Sequence, residues 1–254
     1  MAKHNCAICG AEIGVIAAQK LGDGNYICRK NCRSKLFKVF DCIPATLPEV
    51  TDHIAQIEYG TKVWNQIFVP LKKTKNKEET LRQIYGIQEC LVYVSPSTGL
   101  IAFNYNKYKI MFFGKTEYAC VYRLADLVSY EYETENVKGS DGKDVTKHFV
   151  WLGFRNTEGM ANFRLALSGK NDFDSMEKYF NELFGIQKTL RNSFRNARRQ
   201  MDAIKAAAGA VKGAVNGTLD ESQAAEAFET MEAYELGDRT EWIAKADAAL
   251  ATVK

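Results

Sequence analysis

Four cysteines in the first 32 residues constrain this chain more than anything else in its sequence. They read Cys6-Ala-Ile-Cys9, then eighteen residues, then Cys28-Arg-Lys-Asn-Cys32. Two close thiol pairs about 15 to 20 residues apart have the spacing of a four-thiolate zinc site. Each pair sits on a tight turn, and a tetrahedral ion needs two such turns facing each other. Gly10 follows the first pair, where a backbone curling round a metal needs positive φ. Gly22-Asp-Gly24-Asn, between Ile13-Gly-Val-Ile16 and Tyr26-Ile27, reads as a hairpin turn. Residues 1–43 are therefore expected to form a zinc ribbon or treble clef with Cys6, Cys9, Cys28 and Cys32 as ligands. Because the second pair is C-x3-C, His4 and Cys42 stand as spare candidate ligands. Four thiolates close the coordination shell, so one structural Zn2+ per chain is expected rather than a catalytic one. A segment with so few large apolar side chains draws its folding energy from the metal, on the order of 10 kcal/mol.

Free thiols suit a reducing compartment. No apolar run approaches the roughly 18 to 20 residues of a membrane span, and Met1–Cys9 has no signal-peptide core. The expectation is a cytoplasmic protein. With 46% hydrophobic and 26% charged residues the chain is ordinary globular material, which excludes wholesale disorder and collagen-like repeats. No Walker-type loop, no strand followed by GxGxxG and no H-E-x-x-H occurs, and His4, His53 and His148 lie far apart. Glu131-Tyr-Glu133-Thr-Glu135 alternates along a strand and reads as facing water rather than metal. The chain reads as non-enzymatic.

Residues 44–80 form a helix followed by a basic connector. Ile54, Ile57, Val63, Trp64, Ile67 and Phe68 recur at helical spacing with a break near Gly60, and Lys72-Lys73-Thr-Lys75-Asn-Lys77 follows. From Ile84 to Leu167 short β-branched and aromatic runs alternate with turn signals. The expected strands are Cys90–Val94, Leu100–Phe103, Tyr108–Phe113, Tyr118–Tyr122, Leu127–Tyr132, Phe149–Phe154 and Phe163–Leu167. Cys90 and Cys120 alternate with apolar neighbours and read as core thiols. Asp172–Phe184 is helical, with Phe173, Met176, Tyr179/Phe180 and Leu183/Phe184 on one face. Seven strands and one amphipathic helix over 81–185 match the plan of a pleckstrin-homology-like domain, a bent antiparallel sheet closed by a C-terminal helix. Ser95-Pro-Ser-Thr-Gly99, where lipid-binding members carry bases, has none, and residues 81–185 hold 12 basic against 13 acidic side chains. A protein- or peptide-binding platform is expected before a lipid-binding one.

The two knuckles, the segment Glu49–Pro70 and Leu127-Val-Ser-Tyr-Glu-Tyr132 together resemble an uncharacterised bacterial and phage family. Its members carry an N-terminal four-cysteine zinc ribbon, a short helix and a pleckstrin-homology-like domain, and the resemblance covers residues 1–185. The family's second knuckle is usually C-x2-C, so the extra residue here alters the local turn. The resemblance implies an architecture and no catalytic residues.

The last third, 186–254, carries the clearest periodicity. Leu190, Phe194, Ala197, Met201, Ile204, Ala208, Val211 and Val215 alternate four and three apart, a heptad seam. Residues 186–215 hold seven basic and one acidic side chain; residues 216–254 hold three and nine. Three readings follow: an antiparallel helical hairpin, an intermolecular coiled coil along Leu190, Phe194, Met201, Ile204 and Val211, or a membrane-surface helix. A third helix begins after Gly237, with Trp242/Ile243, Ala246, Ala249/Leu250 and Val253 on one face.

The fold class is thus α+β multidomain: zinc ribbon, linker helix, pleckstrin-homology-like β-domain and an all-α C-terminal segment. The function expected is a cytosolic adaptor or scaffold that binds a protein partner or itself. Two rivals remain at the level of sequence. One is nucleic-acid binding through Arg191, Arg195, Arg198 and Arg199 with Arg29, Lys30, Arg33, Lys35 and Lys38 of the ribbon. The other is peripheral association with membrane lipid.

Overall fold

Each knuckle of the N-terminal segment is built on a very short antiparallel strand pair. In the computed structural model, which describes residues 3–74, 80–87, 90–110, 113–140, 142–186 and 239–254, β1 (Lys3–Asn5) pairs with β2 (Glu12–Gly14). β3 (Ala18–Lys20) pairs with β4 (Tyr26–Cys28) across the predicted turn. In that turn Gly24 takes a φ of +88° and the Asn25 N–H donates to Asp23 Oδ1 at 3.1 Å. The hairpin's first strand is not the Ile13–Ile16 run. Ile13 pairs with His4 instead, and Val15–Ala17 turns as a 3-10 helix. Ile13, Leu21, Ile27, Ala45, Val50 and Ile54 bury against the cysteines in a small core of their own.

That hairpin turn also starts the main helix, α1 (Leu47–Val63). Asp23 Oδ2 accepts the Leu47 N–H at 2.7 Å, and Glu49 Oε2 accepts the Thr46 N–H at 2.7 Å. Two carboxylates thus satisfy N–H groups that a helix start leaves open. Pro48 sits in the first turn, where its missing N–H costs nothing. The helix does not break at Gly60. It passes on through a π turn at Trp64–Phe68 and one further turn to Leu71.

Among the described residues the β-region has seven strands, in two sheets rather than one. β5 (Arg82–Ile87), β6 (Cys90–Ser95), β7 (Leu100–Ile110) and β8 (Phe113–Arg123) form a four-stranded antiparallel sheet in that order. β9 (Leu127–Lys138), β10 (Asp144–Phe154) and β11 (Asn162–Leu167) form a three-stranded sheet with β10 central. Two expected strands, Leu100–Phe103 and Tyr108–Phe113, are largely merged in β7, because Asn104-Tyr-Asn106 stays in the ladder opposite Ala119, Tyr118 and Glu117. The sheets face each other through aromatic rings: Phe103 lies 3.8 Å from Phe163, near-parallel, and Tyr122 lies 4.2 Å from Phe154. The Tyr85 hydroxyl donates to Ala166 O at 2.7 Å, tying β5 to β11.

The outer face of the four-stranded sheet is covered by helices. Val63, Trp64 and Phe68 pack with Leu100, Ala102 and Ala119. Thr61 Oγ1 accepts the Ala119 N–H at 3.1 Å, which occupies a donor on edge strand β8. The predicted third C-terminal helix, α3 (Thr240–Leu250), joins the same cluster through Ala246 and Leu250, followed by Val253 beyond its end, and Asp247 pairs with Arg123 at 2.8 Å.

Residues 1–173 with 241–254 make one compact unit and 174–240 a second. α2 (Lys170–Leu183) begins in the first, where Asp172 Oδ2 accepts the Ser168 N–H at 2.8 Å and Phe173 lies 5.4 Å from Tyr132. In the second unit Met176, Phe180 and Phe184, from the predicted apolar face, are buried, and the Arg239 guanidinium sits 3.3 Å above the Phe184 ring. The heptad positions Leu190, Phe194, Met201, Ile204 and Val211, and Arg191, Arg195, Arg198 and Arg199, lie outside the described residues. Among the described residues no helix is long and apolar enough to cross a membrane.

Candidate metal centre

Both knuckles are shaped by backbone hydrogen bonds before any metal is considered. The Gly10 N–H donates to Cys6 O at 2.8 Å, closing the first turn, and Gly10 takes a φ of +71°. The Cys32 N–H donates to Cys28 O at 3.2 Å, closing the second turn, which holds three residues between its thiols instead of two. The Ala7 N–H donates to Tyr26 O at 2.8 Å and draws the two turns together.

The result is one cluster in which the Sγ atoms of Cys6, Cys9, Cys28 and Cys32 all lie within 4.8 Å of one another. Cys6 and Cys32 are 3.6 Å apart, Cys9 and Cys28 3.8 Å. A zinc ion bonded to four sulfurs at about 2.3 Å sets tetrahedral edges of about 3.8 Å, so the spacing suits that ion. Two N–H groups point at sulfur: Cys28 N to Cys6 Sγ and Cys32 N to Cys28 Sγ, each at 3.3 Å. Such donors stabilise thiolates and orient them as ligands.

The thiols of the cluster do not ionise alike. Burial opposes ionisation of Cys6, but N–H groups of Cys9, Cys28 and Ile8 outweigh it and bring that thiol down to about 6. Cys32 moves the other way, through burial and the crowding of its neighbouring thiols. At Cys9 the Ala11 N–H favours the thiolate, yet the Cys6 sulfur and burial leave it raised. One thiolate forms readily and discourages the others. A divalent ion removes that conflict, since it favours the deprotonated form of every ligand.

The spare candidates stand apart from this set. His4 stacks on Tyr26, ring centroids 3.8 Å apart. Cys42 is buried with its sulfur 3.9 Å from Phe40 O, and burial raises its pKa. Among the described residues no other group of three or more His, Cys, Asp or Glu side chains gathers as ligands. Cys90 and Cys120 are buried core thiols, Cys90 being pushed up to about 12 by burial. Glu133 and Glu135 of the acidic strand are engaged by Arg164 at 3.0 and 2.9 Å. His148 is half-buried against the Tyr132 hydroxyl.

What the linear sequence did not single out is a polar junction around Gln56. Its Nε2 donates to the Tyr122 hydroxyl at 2.8 Å and Met160 O at 3.2 Å, and its Oε1 accepts the Met160 N–H at 3.1 Å. His53, wholly buried, lies 2.9 Å from the same Oε1 through Nδ1, with its ring between Phe37 and Phe40. A glutamine on a helix carries no sequence signal for such a role; only the packing of α1 against β8 and the β10–β11 loop creates it.

A family model described as a domain of unknown function (DUF4428) matches residues 4–53. No curated protein and no solved structure matches the chain. The matched segment holds all four clustered thiols and the first turns of α1, and together they fit an N-terminal zinc-ribbon-like unit that can bind a metal such as zinc.

Proposed function

We propose that this chain is a non-enzymatic cytoplasmic adaptor that uses a structural zinc to present a rigid surface to a protein partner. The observation that carries the reading is the tip of the metal unit. Val15 and Ile16, in the 3-10 turn between β2 and β3, are 57% and 91% exposed. A large aliphatic side chain held that far into water on a metal-stapled turn is what an interface anchor requires, because little conformational entropy is left to lose on docking. Four thiolates leave the ion no open position for substrate, which supports a scaffolding role for it.

The β-region enters this reading as a pleckstrin-homology-like platform. Support comes from a four-stranded and a three-stranded antiparallel sheet facing each other, followed by the amphipathic helix α2. A photo-cross-linking residue at position 16 of the full chain, expressed in its native cell, tests the proposal. A discrete protein adduct is expected from position 16, with capture of the same protein abolished by Ile16→Asp at unchanged zinc content. No adduct, or capture that survives the aspartate, would refute it.

A further inference from the structure

Of the seven cysteines six are buried, and Cys9 alone is exposed. An oxidant in solution therefore reaches one thiol of the chain before any other. Cys9 belongs to the metal cluster, and its sulfur lies 3.8 Å from that of Cys28 across the two knuckles. Cys6 and Cys32, both buried, make the other cross-knuckle approach at 3.6 Å. A disulfide holds its sulfurs at about 2 Å, so the outer pair closes by a movement of less than about 2 Å. The exposed side has room for it. Cys9 is followed by Gly10, and apart from chain neighbours no atom lies within 4 Å of where a Cβ on Gly10 would stand.

We propose that Cys9 is a site of oxidation by hydrogen peroxide and that Cys28 resolves it, so that a disulfide between them empties the cluster of its metal. The Cys9 thiolate attacks one peroxide oxygen; the O–O bond breaks, hydroxide leaves and the sulfur becomes a sulfenic acid. The Cys28 thiolate then attacks that sulfur. The S–S bond forms, the S–O bond breaks and a second hydroxide leaves. Both hydroxides take protons from the buffer to become water. The two sulfurs together give up two electrons and the peroxide accepts both, while Zn2+ has no redox part in the exchange. Cys6 and Cys32 are then the only ligands left, too few for a tetrahedral ion. Ile13, Leu21 and Ile27 pack against the cysteines in a small core whose folding is tied to the metal, so the unit loosens as the ion is lost. The proposal rests on the metal reading of the cluster and not on a protein partner.

The test treats the full-length, zinc-loaded chain with excess hydrogen peroxide. Released zinc is followed with a chromogenic chelator, and disulfides are mapped by mass spectrometry after thiol alkylation. One zinc per chain is expected to appear in step with a disulfide between Cys9 and Cys28, while the buried Cys42, Cys90 and Cys120 stay reduced. Dithiothreitol with added zinc should restore the loaded form. Cys9→His keeps a ligand at the exposed corner but removes the reactive sulfur, so release should slow at least tenfold. If that variant fails to load zinc, the disulfide map of the parent decides. Cys42→Ala should release zinc at the parent rate. Three results would overturn the proposal: zinc retained through the treatment, a first disulfide joining any other pair, or a zinc-loaded Cys9→His variant that releases at the parent rate. Reduced protein that contains no zinc at all would instead refute the metal reading on which the proposal rests, which keeps the two failures apart.

Discussion

The ring of Phe37 lies 4.4 Å from that of Tyr105, so a side chain five residues beyond the last clustered cysteine belongs to the wall of the β-region. The same ring meets His53 of α1 edge-on at 5.4 Å and lies 6.5 Å from Phe163 of β11. One phenyl group thus touches the metal unit's tail, the main helix and strands of both sheets. Cys32 anchors the chain on one side of it, and the aromatic core receives it on the other.

Truncating that ring should be costly without disturbing the metal. Phe37→Ala removes a buried phenyl whose contacts lie on three elements that cannot all collapse into the space, so a loss of about 3 to 5 kcal/mol is expected. Urea unfolding measures it, and zinc content should stay at one per chain, because no atom of Phe37 takes part in the thiol cluster. A loss below about 1 kcal/mol would mean that the ring is not packed as described.

The cysteines separate by geometry rather than by spacing alone. Cys32→Ala should abolish stoichiometric zinc binding, since three thiolates leave one vertex of the tetrahedron without a ligand. Cys42→Ala should retain one zinc per chain, although Cys42 is buried in the same small core. Metal analysis of both variants, purified under reducing conditions, decides this. Equal zinc loss in the two would place Cys42 in the coordination shell.

Sequence reasoning reached furthest where chemistry ties residues to a pattern. The C-x2-C and C-x3-C pairs foretold the cluster of four thiols, because ligand geometry dictates spacing. Alternation of apolar residues located most of the strands. It missed β5, whose Arg82 and Gln83 face outward beside an irregular pairing at Gln83/Tyr85. It split β7 at Asn104-Tyr-Asn106, since asparagine is a turn former by local propensity and its retention in the ladder is decided by neighbouring strands. The Ile13–Ile16 run was read as one strand, but its polar flanks say nothing of the 3-10 turn that exposes Ile16. Contacts such as Phe37 on Tyr105, or Gln56 on Tyr122, depend on tertiary packing between distant segments, which one sequence does not encode legibly.

Gly60 offers a case where local propensity and packing disagree. In an exposed helix Gly→Ala gains about 1 kcal/mol. Here an added Cβ would lie 2.3 Å from Ala119 O and 2.9 Å from Cys120 Cα, backbone atoms of β8 that cannot turn aside. The glycine read as a helix break is instead the point of closest approach between α1 and the sheet. Gly60→Ala is therefore expected to destabilise by at least 2 kcal/mol, read from the shift in denaturation midpoint. A stabilised variant would show that α1 stands further from β8.

His53 should make stability depend on pH in a defined window. Gln56 Oε1 faces its Nδ1, and the Gln56 amide nitrogen is already committed as a donor to Tyr122 and Met160 O, so the proton resides on Nδ1. Nε2 is left as a bare acceptor, buried without a donor among the described residues. Charging the ring would place an imidazolium in a fully buried site between Phe37 and Phe40, and burial accordingly lowers its pKa to about 4. In the unfolded chain the ordinary value of about 6.5 applies. Between those values the unfolded state holds more protons than the folded one, so stability is full above about pH 6.5 and falls as the pH drops towards 4. The loss levels off below 4, at about 3 kcal/mol in total. Acid also protonates the thiol cluster and weakens metal binding, so the histidine's share is isolated by comparing the parent with His53→Gln. Unfolding free energies measured between pH 4.5 and 6.5 should fall less steeply in the variant, by close to one proton. Parallel slopes in the two proteins, or a His53 that titrates near 6.5 in the folded state by NMR, would show that the ring is charged where it stands.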